Sequence, residues 1–380
     1  MFRPQIQKTS TLFLIAIFNL LMVYLAVESE TKIKRLGYHH KVIAAQKMND
    51  CIKEINKHVE TSKFDIYGTG LLGLKGSSIT TIHDPDSSMR KSKLLTTHPN
   101  FAALIIELFY ESGIGDGDTI AVSMTGSFPG ANIALISACE AMNIKPVIIS
   151  SAGSSSWGAN REDFPWPSIE NLLYYKKLIN NKSIAYSIGG DNDNGDNLPD
   201  NGIEILESII PNKSIFINEF TLSDNINKRF DIFKKGSSNY SMYVNIGGGA
   251  SSLGMGDDKD TLQVGLINLL DVEDMEFDEF RYSVAYRFLN PSEHKIVMEP
   301  IPMLNIKKII NLVPGYYKKE FFDGDMRVAE GTLFYKYDSY NPTVILLCLL
   351  LSLGVITGVG IFSHLQIKRR METHEIDSII

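Results

Sequence analysis

Four stretches of this chain end in the same small, hydroxyl-rich residues: SMTGSFPGAN (123–132), SSAGSSSWGAN (150–160), SIGGDNDNGD (187–196) and NIGGGASSLG (245–254). Glycine lets a backbone come close to a ligand, and hydroxyls and helix N-termini offer hydrogen-bond donors to an anion. On that chemistry the candidate ligand-binding residues are Thr125, Gly126, Ser127, Asn132, Ser151, Gly153, Trp157, Asn160, Gly247, Gly248, Gly249 and Ser251. Ser127 is also the candidate nucleophile, but a serine hydroxyl needs a base, and His83 and His98 have no fixed relation to it in sequence. Its spacing is not that of a nucleophile elbow, where serine sits between G-x and x-G; here Ser127 directly follows Gly126. The competing reading has Thr125 and Ser127 donating to a ligand or capping a helix that begins near Ala131. Asp191, Asp193 and Asp196 are the candidate ligands for a hard divalent cation such as Mg²⁺ or Ca²⁺, with a solvated polar turn as the alternative. An EF-hand is excluded, because Gly195 falls one place early and the twelfth position is Gly202. No phosphate-loop motif G-x-x-x-x-G-K-[ST] occurs, and GIGDGD (113–118) precedes a strand where a dinucleotide fingerprint must follow one. No organic cofactor is expected. Trp157 and Trp166 bracket GANREDFP and serve either as a cleft roof or as core aromatics.

The elements that position these residues follow from periodicity. Short β-branched runs, TIAVSM, KPVIIS, KSIAYSI, KSIFIN and SMYVNI, alternate with helical patterns such as ANIALISACEAMN, IENLLYYKKLIN and DNGIEILESII. That alternation predicts βαβ units and a mostly parallel sheet, with strands apolar throughout because both faces are covered. All four glycine and serine runs then fall at the C-terminal edge, where open α/β sheets bind ligands. LQVGLINLLDVEDM and HKIVMEPIPML extend or flank the sheet. Upstream, Val42, Ala45, Met48, Cys51 or Ile52, Ile55 and Val59 share one helical face, and Leu71 to Ser92 reads as a connection with a turn at HDPD.

The chain has 380 residues, 44% hydrophobic and 21% charged, consistent with a real core. A net charge of -7 without a Lys/Arg stripe argues against nucleic acid as a partner. Three scattered cysteines, Cys51, Cys139 and Cys348, exclude a disulfide framework. Ser10 to Val27 and Pro342 to Phe362 are charge-free and long enough to cross a bilayer. The first is expected to be a retained anchor rather than a cleaved signal, since no small-x-small site follows it. Lys368, Arg369 and Arg370 place the tail in the cytoplasm, which puts both termini inside and the middle outside. The expected fold class is therefore α/β, a Rossmann-like, mostly parallel sheet domain between two transmembrane helices. Its parts are an anchor at 1–29, an amphipathic helix and connecting segment at 30–97, an extracytoplasmic α/β domain at 98–335, a second transmembrane helix at 336–364, and a short tail at 365–380.

The run VSMTGSFPGANIALISACEAMNIKPVIISSAGSSSWGAN, followed by SIGGDNDNGD and NIGGGASSLG, resembles the bacterial poly-γ-glutamate system protein family over 101–253. The resemblance implies an accessory membrane protein, with poly-γ-glutamate synthase or export proteins and an anionic, carboxylate-rich polymer as partners. It carries no established catalytic residue. Three readings follow: an accessory subunit with a carboxylate-binding cleft, a hydrolase or transferase on γ-glutamyl bonds, and a structural scaffold.

Overall fold

The computed structural model describes residues 9–84, 87–255, 262–272, 279–292, 297–307 and 327–377, and these form two compact units, the first at Met1–Lys34 with Tyr335–Ile380 and the second at Arg35–Phe334. Elements are numbered in chain order.

The first unit holds α1 (Thr9–Glu28), β1 (Glu30–Lys34), β9 (Tyr335–Tyr340) and α11 (Pro342–Asp377). Both helices are long and apolar enough to cross a membrane, one near each end of the chain. Their Leu, Ile and Phe side chains are exposed, the reverse of a soluble helix, which hides such a face. The helices run alongside each other. Between them β1 pairs antiparallel with β9, and the Asn341 N–H donates to the Ser29 carbonyl.

The second unit is α/β. Its strands β2 (Thr119–Thr125), β3 (Lys145–Ser151), β4 (Ala185–Ser187), β5 (Ile215–Ile217), β6 (Met242–Ile246), β7 (Gly265–Ile267) and β8 (Met303–Ile306) form one sheet in the order β5-β4-β3-β2-β6-β8-β7. All pairings are parallel except β7 with β8. The five strands expected from the β-branched runs are all present, and the two later apolar stretches supply β7 and β8. Within those two stretches, residues 273–275 and 294–296 lie outside the described ones, as does part of the expected HDPD turn.

Side chains alternate across the sheet. Ala121, Ile149, Ala185 and Tyr243 face a core shared with α8 (Leu222–Gly236), α9 (Ala250–Leu253) and α10 (Val284–Leu289). There Phe288 stacks on Tyr243, with ring centroids 4.9 Å apart, and meets Phe230, Phe233 and Tyr240 edge-on. The opposite layer holds α2 (Tyr38–Ile55), α3 (Ser88–Thr97), α4 (Phe101–Glu111) and α5 (Pro129–Ala141), followed by α6 (Trp166–Tyr175) and α7 (Asp200–Ile209). Among them α5 is buried along nearly its whole length.

The stretch 30–97 is divided between the units. Its first strand belongs with the two long apolar helices, while α2 and α3 belong to the α/β unit. Ala44, Ala45, Met48, Cys51, Ile52 and Ile55 of α2 are buried as α2 packs on α4 and α5, and buried Lys41 bonds Glu107 of α4. The helix ends at Ile55, so Val59 lies past it. Residues 88–92, expected to be connection, instead begin α3: SMRKSKLLTT has little apolar periodicity, and packing against α5 stabilises it.

Candidate functional site

The four glycine and serine runs do converge. β4, β3, β2 and β6 are adjacent and parallel, so their C-terminal ends stand side by side. From β2 the chain moves outward through β3, β4 and β5, then returns to the other side of β2 as β6. The strand order thus reverses between β2 and β6, the position at which open α/β sheets open a crevice.

The glycines of these loops face other loops. A Cβ at Gly126 would stand 2.8 Å from the Ala152 carbonyl, and one at Gly153 would stand 2.9 Å from the Ile188 carbonyl. Gly247, at φ +100, is one position where glycine is required: a Cβ there would overlap Thr125 Oγ1. Gly249 also abuts Thr125, and Gly248 abuts Lys307. The close approach read from the sequence is therefore largely an approach of β2, β3, β4 and β6 loops to one another.

Several predicted binding residues are likewise engaged inside the protein. The Asn160 amide donates to the Leu74 carbonyl and Thr80 Oγ1 and accepts from the Leu74 N–H, tying the 74–80 segment to the β3 loop. Asn132 Nδ2 donates to the Thr125 carbonyl, and Thr125 Oγ1 donates to the Ile246 carbonyl at 3.3 Å, joining β2 to β6. Trp157 is a core aromatic with Tyr67, Leu72 and Leu94. Ser127 Oγ accepts the Ser155 N–H at 3.0 Å, while His98 lies edge-on to Tyr67 and its Nδ1 accepts the Asn100 N–H.

The centre of the edge is a residue that the motif search passed over. Arg229 on α8 is 1% exposed, and its Nε donates to Asp193 Oδ2 at 2.6 Å. Its Nη2 donates to Ser151 Oγ at 2.9 Å, Ser187 Oγ at 2.6 Å and Asp193 Oδ1 at 3.1 Å. Ser251 Oγ completes the cluster by donating to Asp193 Oδ2 at 2.8 Å. Three of the four loops thus meet on one ion pair. Asn192 and Asp193 both have positive φ, and α8 grips this turn twice, since Asn225 Nδ2 donates to the Asn192 carbonyl at 2.8 Å. The sequence does carry a signal for Arg229: Ile226, Phe230 and Phe233 form a buried stripe at helical spacing, and the arginine sits inside it.

This arrangement separates the three acids of the cation reading. Asp193 is committed to Arg229, while Asp191 is exposed and exposed Asp196 accepts from Asn192 Nδ2 at 2.6 Å. Among the described residues no group of three His, Cys, Asp or Glu side chains is placed to hold a metal ion. The triplet spacing had put three acids together in sequence, but the left-handed turn sends the middle one inward.

The cluster is not closed. Arg229 Nη1 is buried and has no hydrogen-bond partner among the described residues, and the same holds for Asn245 Oδ1 on β6. Ser123 and Ser252 lie near the Tyr243 phenol, which burial holds above its ordinary pKa. Buried polar groups are normally satisfied, and Arg229 Nη1 and Asn245 Oδ1 each have hydrogen-bonding capacity left for a further polar group.

Comparison with protein-family models, with curated proteins and with solved structures finds no match to this chain.

Proposed function

We propose that this protein is a membrane-tethered accessory component of a poly-γ-glutamate synthesis or export system, and that its Rossmann-like unit receives a carboxylate-bearing ligand beside Arg229. The observation that carries this reading is the guanidinium itself. Two of its nitrogens are committed to Asp193, Ser151 and Ser187, and the third, Nη1, is buried without a hydrogen-bond partner among the described residues, next to the β2/β6 reversal. A guanidinium presents planar donors that match a carboxylate, and an anion there would also meet the Ser123 and Tyr243 hydroxyls. The resemblance of 101–253 names the polymer, whose repeating carboxylates suit this chemistry. In this reading the basic run Lys368 to Arg370 holds the tail in the cytoplasm, with both termini inside and the α/β unit outside.

Titration calorimetry of the full chain in detergent with γ-linked glutamate oligomers tests the site. Arg229→Met is expected to abolish the binding heat, and heat unchanged in that folded variant would overturn the reading. Protease added to intact cells is expected to trim the α/β unit; complete protection would reverse the topology. A tagged chain solubilised from membranes is expected to retain synthase or export proteins, whose absence would remove the accessory role.

A further inference from the structure

We propose that Ser155 is a nucleophile with Lys93 as its general base, giving the α/β unit a serine acyl-hydrolase activity toward amide or ester carbonyls. Lys93 lies on α3, and its Nζ stands 2.8 Å from Ser155 Oγ. Nζ also donates to the Ser155 carbonyl at 3.1 Å and to the Ser156 carbonyl. Two carbonyls can only accept, whereas a hydroxyl can donate. A neutral amine has two N–H bonds and one lone pair, so it fits these three oxygens with the lone pair turned to Ser155 Oγ–H. A charged ammonium would leave that hydroxyl proton without an acceptor, because among the described residues Nζ is the partner of Ser155 Oγ.

Three further observations agree. Lys93 is 1% exposed and has no carboxylate at ion-pair distance among the described residues; buried Asp84 acts on it only from farther away. Burial accordingly pushes the amine well below its ordinary range, against the opposing pull of Asp84. The rest of Ser155 is held firmly, since its N–H donates to Ser127 Oγ at 3.0 Å and its carbonyl accepts from Ser154 Oγ at 2.9 Å. Finally, Ser155 retains 5% of its surface, while Ser154 and Ser156 beside it have none. The sequence drew attention to Ser127, whose oxygen is occupied; the serine with a base is the one that donates to it.

The step balances with water as co-reactant. Ser155 Oγ attacks the carbonyl carbon as its proton passes to Lys93 Nζ, and the tetrahedral oxyanion forms near the start of α5, whose dipole favours negative charge there. Collapse breaks the bond to the leaving amine or alkoxide, which takes the proton from Nζ. Water then attacks the acyl ester, giving its proton to Nζ; collapse breaks the Ser155 Oγ–acyl bond, Oγ takes that proton back from Nζ, and a carboxylic acid leaves.

The test uses the full chain in detergent and a fluorophosphonate, which carries no carboxylate and so reads this pair independently of Arg229. Peptide mass spectrometry is expected to find the label on Ser155, with none in Ser155→Ala. Lys93→Met and Lys93→Arg are both expected to slow labelling by about 100-fold or more, as loss of a general base does. Arginine keeps the positive charge but cannot take the proton, so undiminished labelling in a folded Lys93→Arg variant would assign Lys93 a merely structural role and overturn the proposal. Label on Ser127, or none on the folded wild type, would overturn it equally. The labelling rate is expected to level off well below the pH at which an ordinary lysine titrates; a rate still climbing there would count against a neutral Lys93.

Discussion

Arg229 and Lys93 are both cations by type, both 1% exposed, and both reach the same C-terminal edge from helices on opposite faces of the sheet. The surroundings of the two differ. Arg229 has Asp193 at 2.6 Å and the Ser151 and Ser187 hydroxyls, whereas Lys93 has three uncharged oxygens and the Phe128 ring, whose centroid is 5.4 Å from Nζ. The difference follows from the side chains. A guanidinium stays charged at any pH a protein meets, so burying one requires a counter-ion. An amine can give up its proton, so it can be buried among carbonyls and emerge as a base. One face of the edge is therefore suited to holding an anion and the other to moving a proton.

The most direct way to break this comparison is to remove the counter-ion. Asp193→Ala leaves the Arg229 charge buried and alone, and is expected to lower unfolding free energy by about 3–5 kcal/mol in denaturant titrations. Arg229→Met together with Asp193→Leu is expected to recover most of that loss, because neither charge is then stranded. A loss persisting in the double variant would show that the loops, and not the charge, set the cost.

Gly247→Ala tests whether the β2 and β6 loops must touch for the edge to form. With φ +100 and Thr125 in the way, it is expected to cost about 1–3 kcal/mol. Thermal unfolding that matches wild type would mean that the approach to Thr125 is dispensable.

Lys93 should behave oppositely to Arg229, and pH reveals it. Its pKa is lowered in the folded state, so between that value and 10.5 the unfolded chain binds the extra proton. Stability from this group therefore rises with pH across that window, by up to about 1.4 kcal/mol per pH unit, and is lost as pH falls. Lys93→Met is expected to flatten that slope without destabilising the protein at neutral pH. Because Asp84 also acts on Lys93, Asp84→Asn is expected to lower the Lys93 pKa further and extend the slope to lower pH. An unchanged slope in Lys93→Met would mean that the amine stays charged.

The smallest effect concerns the helix that carries Arg229. Thr221 Oγ1 accepts the Asp224 N–H at 3.2 Å and caps α8, so Thr221→Ala is expected to cost about 1 kcal/mol. If the cap helps to aim the guanidinium, ligand affinity should fall with it in the same titration.

The legible parts of the molecule were those written in local period. TIAVSM, KPVIIS and SMYVNI read as strands because they are short, β-branched and nearly continuous in apolar residues, and Ser10 to Val27 reads as a span because nothing charged breaks it. The convergence of four loops on one edge also followed, since parallel strands must end on the same side. The segment around Lys93 did not read as a helix, because SMRKSKLLTT has no apolar stripe strong enough to stand out. Arg229 lay in view within a hydrophobic stripe, but its role depended on which loop α8 would meet.

By itself the sequence determined the two apolar helices, the alternation of strands and helices, and the residues available at the strand ends. These rest on period and composition, which act over a few residues. Only the tertiary structure decided that Asp193 turns inward to Arg229 while its neighbours stay in water, that the glycines fit loop to loop, and that Ser155 rather than Ser127 meets a lysine. Each of those depends on burial, and burial is set by elements brought together from distant parts of the chain: Lys93 meets Ser155 across 62 residues, and Asp193 meets Arg229 across 36. Desolvation acts on a charge only once such partners have closed around it, and it is what makes one buried cation an anchor and the other a base.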